Sequence, residues 1–385
     1  MDFKEKDKKY IASTYARSNI EIVKGKGSTC YDSEGKEYID FTSGIGVNSL
    51  GFANEGFAKA VYNQLLTMQH ISNLYHNNVQ IEVAEKLVKL AGMEKVFFAN
   101  SGAEANECAI KAARKYAHIQ KNKKKCIVTL NSSFHGRTIT LLKANGQKSF
   151  HKYFNPFTPK IKNLEFNEEI FNLLPKDTGA IMAEIVQGEG GVNNLDAKLL
   201  KAVEEYCNKN DILFIVDEVQ TGVGRCGSFL ASQKLGLKPD IITLAKGLGG
   251  GLPVAACLFN KKTADVYAYG DHGTTFGGNP AVLSGVKYVL SNFEDSKFVD
   301  EINAKAKYIR DEISKFKNVE KLTGLGLMIG IKVKDKKGKD VRAACEKDGL
   351  LILTAKDNVR LLPPLNITYE EIDKGLQILK KNIEK

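Results

Sequence analysis

The sequence predicts an α/β fold in which a mainly parallel central sheet is flanked by helices and accompanied by a smaller α+β domain. Between about residues 95 and 260, short apolar runs alternate with helical patterns, which is typical of parallel strands covered on both faces. Beyond residue 295, strands and helices are mixed on a smaller scale. A chain of 385 residues is long enough for one large domain and one smaller one.

The domain boundaries follow from these changes of pattern. We expect residues 51–295 to form the large domain and residues 296–385 to form the small domain, to which residues 1–50 contribute. The N-terminal stretch begins with weak helical or irregular signals and continues at 21–41 as short strands around a Ser-Glu-Gly turn. Neither an internal repeat nor a flexible linker is visible.

Periodicity and turn signals place the individual elements. In the large domain, strands are predicted at 95–99, 126–130, 180–184, 212–216, 241–245 and 254–259. Helices are predicted at 55–69, 78–91, 104–118, 196–209, 280–293 and 298–316. The C-terminal region adds strands at 326–333, 350–354 and 358–362, with helices at 338–348 and 368–384.

The composition bounds the partners and the compartment. The net charge is +11, but the lysines are spread along the chain, and the densest run, at 121–125, has no interleaved aromatic residues. We therefore expect attraction of anionic small molecules and no nucleic-acid partner. The seven cysteines form no Cys-x-x-Cys pair and the six histidines form no pair with metal-ligand spacing, so we expect a reducing compartment and no metal. Without a signal core or an apolar membrane span, the chain is expected in the cytoplasm, with no membrane partner.

A lysine follows the apolar run at 241–245, and four glycines stand among the next five residues. Lys246 therefore lies at the carboxyl end of a buried strand, where ligands gather in open α/β sheets. Loss of solvation makes its amine easier to deprotonate, which suits a Schiff base with an aldehyde such as pyridoxal phosphate (PLP). The alternative is a strand-end lysine beside a flexible loop, and this stretch alone does not decide between the two.

A possible anion site follows the strand at 95–99. Ser101, Gly102 and Ala103 open a helix, so their free N–H groups and the helix dipole favour a phosphate. An ordinary N-cap by Ser101, with Glu104 completing a capping box, is compatible with this interpretation.

An apolar run also precedes Asp217, and a buried carboxylate is costly unless it is paired. A pyridinium N–H is a suitable partner, and Gln220 could reach a ring hydroxyl. Capping of the next turn is the alternative for Asp217, but the unbroken apolar run favours function. After the strand at 126–130, Phe134 offers a ring to a planar cofactor and Arg137 a fork for a carboxylate; taken alone, Arg137 is more typical of a surface salt bridge.

Other polar residues lie in or near the predicted strands and loops. Glu184 and Glu189 are either solvated or paired with a cation, and Arg360 interrupts an apolar strand and needs an anionic partner. The loop at 273–280, which contains Thr274 and Thr275, opens a helix and suits a phosphate. His135 is the one histidine beside the candidate site.

Six motifs occur in one order over residues 100–280: Ser-Gly-Ala-Glu-Ala-Asn-Glu, Phe-His-Gly-Arg, Gln-Gly-Glu-Gly-Gly, Val-Asp-Glu-Val-Gln-Thr-Gly, Ala-Lys-Gly-Leu-Gly-Gly-Gly and Thr-Thr-Phe-Gly-Gly-Asn-Pro. In this order they resemble the class III aminotransferases of PLP fold type I. The resemblance extends to both ends, through Thr-Tyr-Ala-Arg at 14–17 and Arg-Leu-Leu-Pro-Pro-Leu at 360–365. It is greatest to members that act on N2-acetyl-L-ornithine in arginine biosynthesis.

The resemblance implies a PLP site shared across a homodimer. In it, Lys246 forms the Schiff base and moves the proton, while Asp217 pairs with the pyridine nitrogen. The ring and phosphate contacts implied for the cofactor are Phe134, Gln220, Ser101, Gly102, Ala103 and, from the neighbouring subunit, Thr275. Thr is usual in this subgroup where this chain has Ala103, so any hydroxyl contact there is lost. Val186 also follows Ile185 where Pro-Ile is common, a change from which we expect little effect.

The same resemblance implies the substrate contacts. Arg137 binds the carboxylate of acetylornithine and the distal carboxylate of 2-oxoglutarate, and Arg360 binds the α-carboxylate of 2-oxoglutarate. Glu189 covers Arg360 while the amine donor is bound. The remaining residues expected at the substrate are Tyr15, Glu184 and Thr274.

The expected reaction is transamination of N2-acetyl-L-ornithine with 2-oxoglutarate, which gives N-acetyl-L-glutamate 5-semialdehyde and L-glutamate. The nearest alternatives are other ω-aminotransferases of the family, acting on ornithine, 4-aminobutyrate, succinyldiaminopimelate or a lysine derivative. An aminomutase on the same fold is a further alternative, but Arg360 with Glu189 suits two alternating substrates and argues against it. A basic nucleic-acid-binding protein would be distinguished by a salt-dependent affinity for a duplex.

Overall fold

The computed structural model describes residues 2–385 of the chain. The N-terminal region contains three strands and four helical elements: α1 (Phe3–Tyr10), β1 (Ile22–Lys26), β2 (Thr29–Asp32), β3 (Glu37–Asp40), the single turn α2 (Ser43–Gly46), α3 (Glu55–Thr67) and α4 (Asn78–Ala91). Six of the longer helices begin at a residue whose side chain accepts a first-turn N–H: Asn54, Asn77, Ser101, Asp196, Asn279 and Thr368.

The central region alternates strands and helices, as predicted. Its elements are β4 (Lys95–Ala99), α5 (Gly102–Ile119), β5 (Cys126–Leu130), α6 (Ile139–Ala144), β6 (Ile161–Leu164), α7 (Ile170–Leu173), β7 (Thr178–Ala183), β8 (Val186–Gln187), β9 (Asn193–Asn194), α8 (Ala197–Lys209), β10 (Leu213–Asp217), α9 (Ala231–Lys234), β11 (Ile241–Leu244) and β12 (Ala255–Phe259). Two 3-10 turns, Lys148–His151 and Lys246–Gly249, follow α6 and β11.

The C-terminal region returns to a smaller α+β pattern. Its elements are α10 (Pro280–Ser291), α11 (Lys297–Ser314), β13 (Val319–Leu325), β14 (Met328–Val333), α12 (Gly338–Lys347), β15 (Leu350–Leu351), β16 (Leu353–Ala355), β17 (Asn358–Leu361) and α13 (Tyr369–Glu384). The single strand predicted at 326–333 corresponds to β14, which forms an antiparallel hairpin with β13. The first strand of this hairpin was not predicted, because the polar residues in β13 interrupt its strand pattern.

Seven strands form the central sheet, in the order β4-β12-β11-β10-β7-β5-β6. All its pairs are parallel except those of β12, which runs antiparallel to both β11 and β4. The predicted mainly parallel sheet is therefore confirmed. The sequence prediction did not include β6, because this edge strand contains Lys162 and Asn163 and so lacks a continuous apolar run.

Two four-stranded sheets lie outside the central one, and one of them connects the two ends of the chain; β8 and β9 form a separate antiparallel pair. In one, β1, β2 and β3 are joined by β15 from the C-terminal region, through a parallel pair of β3 and β15. The other contains β13, β14, β17 and β16. The pairing of β3 with β15 supports the expectation that residues 1–50 contribute to the small domain, although the boundaries themselves stay a prediction.

Strands β5, β7, β10 and β11 are buried along their whole length and are parallel, so their carboxyl ends and the loops that follow them meet at one edge of the sheet. This edge positions the candidate site. Within residues 2–385, no helix is both long and apolar enough to cross a membrane.

Candidate active site

A cavity of about 440 Å³ lies at the carboxyl edge of the central sheet. Its walls come from the loops after β4, β5, β7, β10 and β11. Nine residues predicted for the site line it: Ser101, Gly102, Ala103, Phe134, Arg137, Glu184, Asp217, Gln220 and Lys246.

Lys246 is separated from the end of β11 by Ala245 and begins a 3-10 turn. Its φ of 44° lies in the left-handed region, which is costly for a residue with a side chain and is typical of functional positions. Burial lowers the pKa of the Lys246 amine, and the positive charge of Arg360 lowers it further, against the opposing effect of nearby carboxylates, Glu189 foremost. The amine is thus shifted toward its neutral, nucleophilic form, as the sequence predicts.

Asp217 ends β10 and is only 3% exposed. Its Oδ2 accepts a hydrogen bond from Asn106 Nδ2 at 2.8 Å and lies 2.8 Å from His135 Nδ1. Its Oδ1 accepts from the N–H of Val219 at 3.0 Å. The carboxylate is therefore held in one orientation at the cavity wall, which is what a fixed partner for a ring nitrogen requires.

Asn106 and Thr243 are functional neighbours that the sequence analysis missed. Asn106 is buried in α5, donates to the carbonyl of His135 at 2.8 Å as well as to Asp217, and accepts from Thr243 Oγ1 at 2.7 Å. The sequence contained a signal for Asn106, because this polar residue lies on the apolar face of a helix that begins at the site.

His135 is also fully enclosed. Burial lowers its pKa, but the hydrogen bond and the charge of Asp217 raise it, and the net pKa of His135 is raised above its usual value. The negative charge of Asp217 is thus compensated by the His135 imidazole, whose raised pKa favours the protonated form.

Glu184 lies just past the end of β7 and is 5% exposed. Its Oε1 accepts the backbone N–H of Phe134 at 2.8 Å, so the carboxyl fixes the loop that presents the Phe134 ring. Burial raises the pKa of Glu184 to about 7, with His135 lowering it and Asp217 raising it.

The start of α5 forms one end of the cavity. Ser101 caps it, since its Oγ accepts the N–H of Glu104 at 3.2 Å. The expected capping box is wrong, because the Glu104 carboxylate instead accepts the N–H and the side-chain amide of Asn100. The first N–H groups of the helix have no intrahelical acceptor, which leaves them available to an anion.

Arg360 and Glu189 form an ion pair, with Nη1 2.6 Å from Glu189 Oε1. Arg360 Nη1 also donates to Gln220 Oε1 at 3.3 Å, which joins the pair to the cavity wall. Arg360 is 3% exposed, and its buried Nε has no hydrogen-bond partner. The anionic partner required for this arginine is thus Glu189.

Arg137 lies exposed at the cavity rim. No carboxylate within residues 2–385 forms a salt bridge with it, so the surface salt bridge considered for this residue is not observed. Its guanidinium instead contacts aromatic rings.

Five predicted residues do not line the cavity of the single chain: the ion pair of Arg360 and Glu189, described above, and Thr274, Thr275 and Tyr15. Thr274 Oγ1 accepts from Asn100 Nδ2 at 3.1 Å, next to the start of α5. Thr275 is exposed, and Tyr15 lies on a second cavity beside α1. Their predicted contacts with ligands stay predictions.

The chain resembles known proteins over almost its whole length. It is 46% identical to an acetylornithine aminotransferase of Haemophilus ducreyi over 381 residues, 98% of this chain and 97% of that protein. A relative of the same name from Caldanaerobacter subterraneus is 44% identical over 97% of each chain.

Solved structures show the same fold. The ornithine aminotransferase of Toxoplasma gondii, described with partial occupancy of PLP, aligns with a TM-score of 0.93 at 30% identity, over 99% of this chain and 94% of that one. The N-acetylornithine aminotransferase of Stenotrophomonas maltophilia aligns with a TM-score of 0.84 at 34% identity, over 96% of this chain and 97% of that one. The sequence profile of the class III aminotransferases matches residues 10–383. With its lysine, aspartate and helix N-terminus around one cavity, the chain belongs to the class III aminotransferases, the PLP-dependent family of fold type I.

Proposed function

We propose that this enzyme transfers the terminal amino group of N2-acetyl-L-ornithine to 2-oxoglutarate, giving N-acetyl-L-glutamate 5-semialdehyde and L-glutamate. The observation that carries the proposal is the arrangement of Lys246, Asp217 and the start of α5 around one cavity. The names of the relatives at 44–46% identity support the choice of donor.

The cavity residues match the three functional groups of PLP. The amine of Lys246 suits the aldehyde, the fixed carboxylate of Asp217 suits the pyridine N–H, and the free N–H groups of Ser101, Gly102 and Ala103 suit the phosphate. Phe134 and Gln220 line the same cavity and would contact the ring face and the ring hydroxyl. When bound, PLP supplies an electrophilic carbon for the amine and an electron sink for the carbon that loses its proton.

Lys246 performs the proton transfers in this proposal. Because burial lowers its pKa, the displaced amine is a base that can accept the proton from the donor carbon and return it. Asp217, held by Asn106 and His135, would stabilise a positive charge on the ring nitrogen of the cofactor. Positioned proton transfer of this kind contributes about 10²–10⁴-fold to the rate.

The two arginines separate the two half-reactions. Arg137, free of acidic partners, would bind the carboxylate of the donor and the distal carboxylate of 2-oxoglutarate. Arg360 is covered by Glu189, so it would bind the α-carboxylate only when 2-oxoglutarate displaces that glutamate. The donor, whose reacting carbon has no neighbouring carboxylate, leaves the ion pair in place. Tyr15, Glu184 and Thr274 are proposed to line the substrate path.

A homodimer with shared sites and a cytoplasmic location complete the proposal. Leu74, Tyr75 and Phe276 are exposed large apolar side chains next to Thr275, and Asn73 ties their segments together by donating to the carbonyls of Thr274 and Gly277. A surface of this kind supports burial against a second copy, which would bring Thr275 to the neighbouring phosphate. All seven cysteines are free and buried, which agrees with a reducing compartment.

Ornithine is the second candidate donor, because the Toxoplasma gondii ornithine aminotransferase superposes over nearly the whole chain. The two donors differ at the α-nitrogen, where ornithine has a charged amine and acetylornithine a neutral amide. Arg137 is proposed to bind the carboxylate, which both donors have, so this contact does not distinguish between them.

The test follows the visible absorption band of the purified PLP enzyme. N-acetylornithine, ornithine, 4-aminobutyrate and succinyldiaminopimelate are added separately without a keto acid, and 2-oxoglutarate is added afterwards. The proposal expects N-acetylornithine to bleach the band fastest and 2-oxoglutarate to restore it. Faster bleaching by another donor would reject the substrate assignment, and absence of a band with added PLP would reject the role of Lys246.

A further inference from the structure

Arg137 has an unusual environment for a residue that binds a carboxylate. It lies at the rim of the cavity, and within residues 2–385 its guanidinium has no ion pair or hydrogen bond to an acidic side chain. Its Cζ lies 4.3 Å from the centre of the Phe150 ring and 5.5 Å from the centre of the Phe134 ring. Aromatic contact therefore restricts this long side chain, and Phe150 is the closer ring.

The two rings have different tasks. Their centres are 5.6 Å apart and their planes are inclined by 67°, an edge-to-face arrangement that stabilises both. Phe134 lines the cavity, whereas Phe150 does not. Phe150 is thus placed to support Arg137 without contacting a bound cofactor.

Hydrogen bonds connect the turn that contains Phe150 with the backbone next to Arg137. It belongs to the 3-10 turn Lys148–His151, in which the ring Nε2 of His151 lies 2.9 Å from the carbonyl oxygen of Asn145. The side chain of Asn145 donates to the carbonyl of Gly136, the residue before Arg137, at 2.9 Å. The turn that carries Phe150 is therefore connected by hydrogen bonds to the backbone that carries the arginine.

A guanidinium has five N–H donors, and carboxylates bind it through two of them in the plane of the fork. Among the described residues, no acidic side chain occupies these donors of Arg137. The contact between the guanidinium and the Phe150 ring is therefore compatible with carboxylate binding, and it reduces the rotamer freedom that Arg137 would lose on binding.

We propose that Phe150 is a positioning residue that holds Arg137 for the substrate carboxylate. The inference rests on the proposed function of Arg137, and it adds a residue whose effect is confined to substrates with a carboxylate at that position. Loss of the ring should weaken binding of both substrates without slowing the proton transfers at Lys246.

The test compares Phe150→Leu with Phe150→Tyr. Because a partly exposed cation–π contact is weak to moderate, Phe150→Leu should raise the KM for N-acetylornithine and for 2-oxoglutarate about 3- to 30-fold, with kcat changed less than about threefold. Phe150→Tyr keeps a ring and should restore wild-type KM values. Phe154→Leu, in the same segment but without a ring contact to Arg137, is the matched control and should leave the KM values unchanged.

A binding measurement separates this inference from the choice of donor. Glutarate has two carboxylates but no carbonyl to react, so calorimetry with the PLP-loaded protein reports carboxylate binding alone. Phe150→Leu should weaken glutarate binding by the same factor as the KM, and should add no further loss in an Arg137→Gln background. Unchanged glutarate binding, or an equal loss in both backgrounds, would overturn the inference. The identity of the amino donor does not affect either result.

Discussion

Asn106 is one of three groups that orient the Asp217 carboxylate, and its side-chain amide also connects three elements of the fold. It donates to Asp217 and to the carbonyl of His135, and it accepts from Thr243. Asn106→Leu keeps the volume but leaves buried polar groups without partners. We expect the free energy of unfolding, measured with urea, to fall by about 1–3 kcal/mol.

The control is Asn63→Leu, an equivalent change at an exposed position of α3. It should change the free energy of unfolding by less than about 0.5 kcal/mol. Equal stabilities of the Asn106→Leu and wild-type proteins would show that the network around Asp217 contributes nothing to the fold.

Glu184 should make stability depend on pH near neutrality. Its pKa in the folded protein is raised to about 7, so the folded state holds a proton that the unfolded state has released. Stability must then fall as the pH rises from the usual glutamate range through 7. His135, with a raised pKa, acts in the same direction, since its stabilising charge is lost as the pH rises through its folded pKa.

The comparison is Glu184→Gln, which keeps the acceptor for the Phe134 N–H but cannot ionise. Between pH 5.5 and pH 8.5, both with PLP bound, the wild type should lose about 1–3 kcal/mol more stability than the variant. Parallel stability curves over this range would mean that Glu184 is ionised throughout.

At the scale of elements, the start of α5 depends on the absence of a side chain at Gly102. A Cβ there would lie 2.8 Å from Val219 Cγ1, in the loop after β10. Gly102→Ala should therefore push the helix N-terminus away from the cavity. We expect the affinity for PLP, measured by fluorescence titration, to fall by about tenfold, because the N–H groups that suit the phosphate are displaced.

Val219→Ala provides the rescue, since it removes the atoms that Gly102→Ala would meet. The double variant should regain most of the affinity for PLP, whereas Val219→Ala alone should change it little. Failure of the rescue would show that close packing of α5 against the β10 loop is not what Gly102 provides.

The sequence predicts best where hydrophobicity changes sharply. Asp217 and Lys246 each follow a buried apolar run, so their place at a sheet edge could be predicted from the pattern alone. Asn106 was missed although it lies on the apolar face of α5, because the helical pattern indicates that the residue is buried but not which groups its side chain contacts. Likewise, apolar content does not indicate strand direction, so the antiparallel course of β12 was found only in the structure.

At the scale of the whole molecule, neither the sequence nor the structure of a single chain shows the contact between subunits or the domain boundaries. Thr275 was assigned to a neighbouring subunit through resemblance, and in one chain it is exposed. The division into domains at residues 50 and 295 likewise stays a prediction, because one hydrophobic core runs from Ile39 through Leu248 to Ile383. The first point concerns contacts between subunits and the second contacts between domains, and the hydrophobic pattern of one chain predicts neither.

Sharing of sites across a dimer can be tested by complementation. Lys246→Ala removes the base of its own chain's site, and Thr275→Glu places a negative charge where the partner's site would hold a phosphate. Each homodimer should be inactive. In a heterodimer, one site combines both defects, but the other combines an intact Lys246 with an intact Thr275.

The heterodimer, isolated with two different affinity tags after co-expression, should therefore show about half the activity of the wild-type dimer. The control is Ser291→Glu at the exposed end of α10, which tests whether an added negative charge alone inactivates the enzyme. Thr263→Glu would not serve as a control, because the Thr263 side chain is buried. An inactive heterodimer, with both chains folded and PLP added, would mean that each site is built from one chain. Activity in the Thr275→Glu homodimer would mean instead that this threonine lies away from the phosphate.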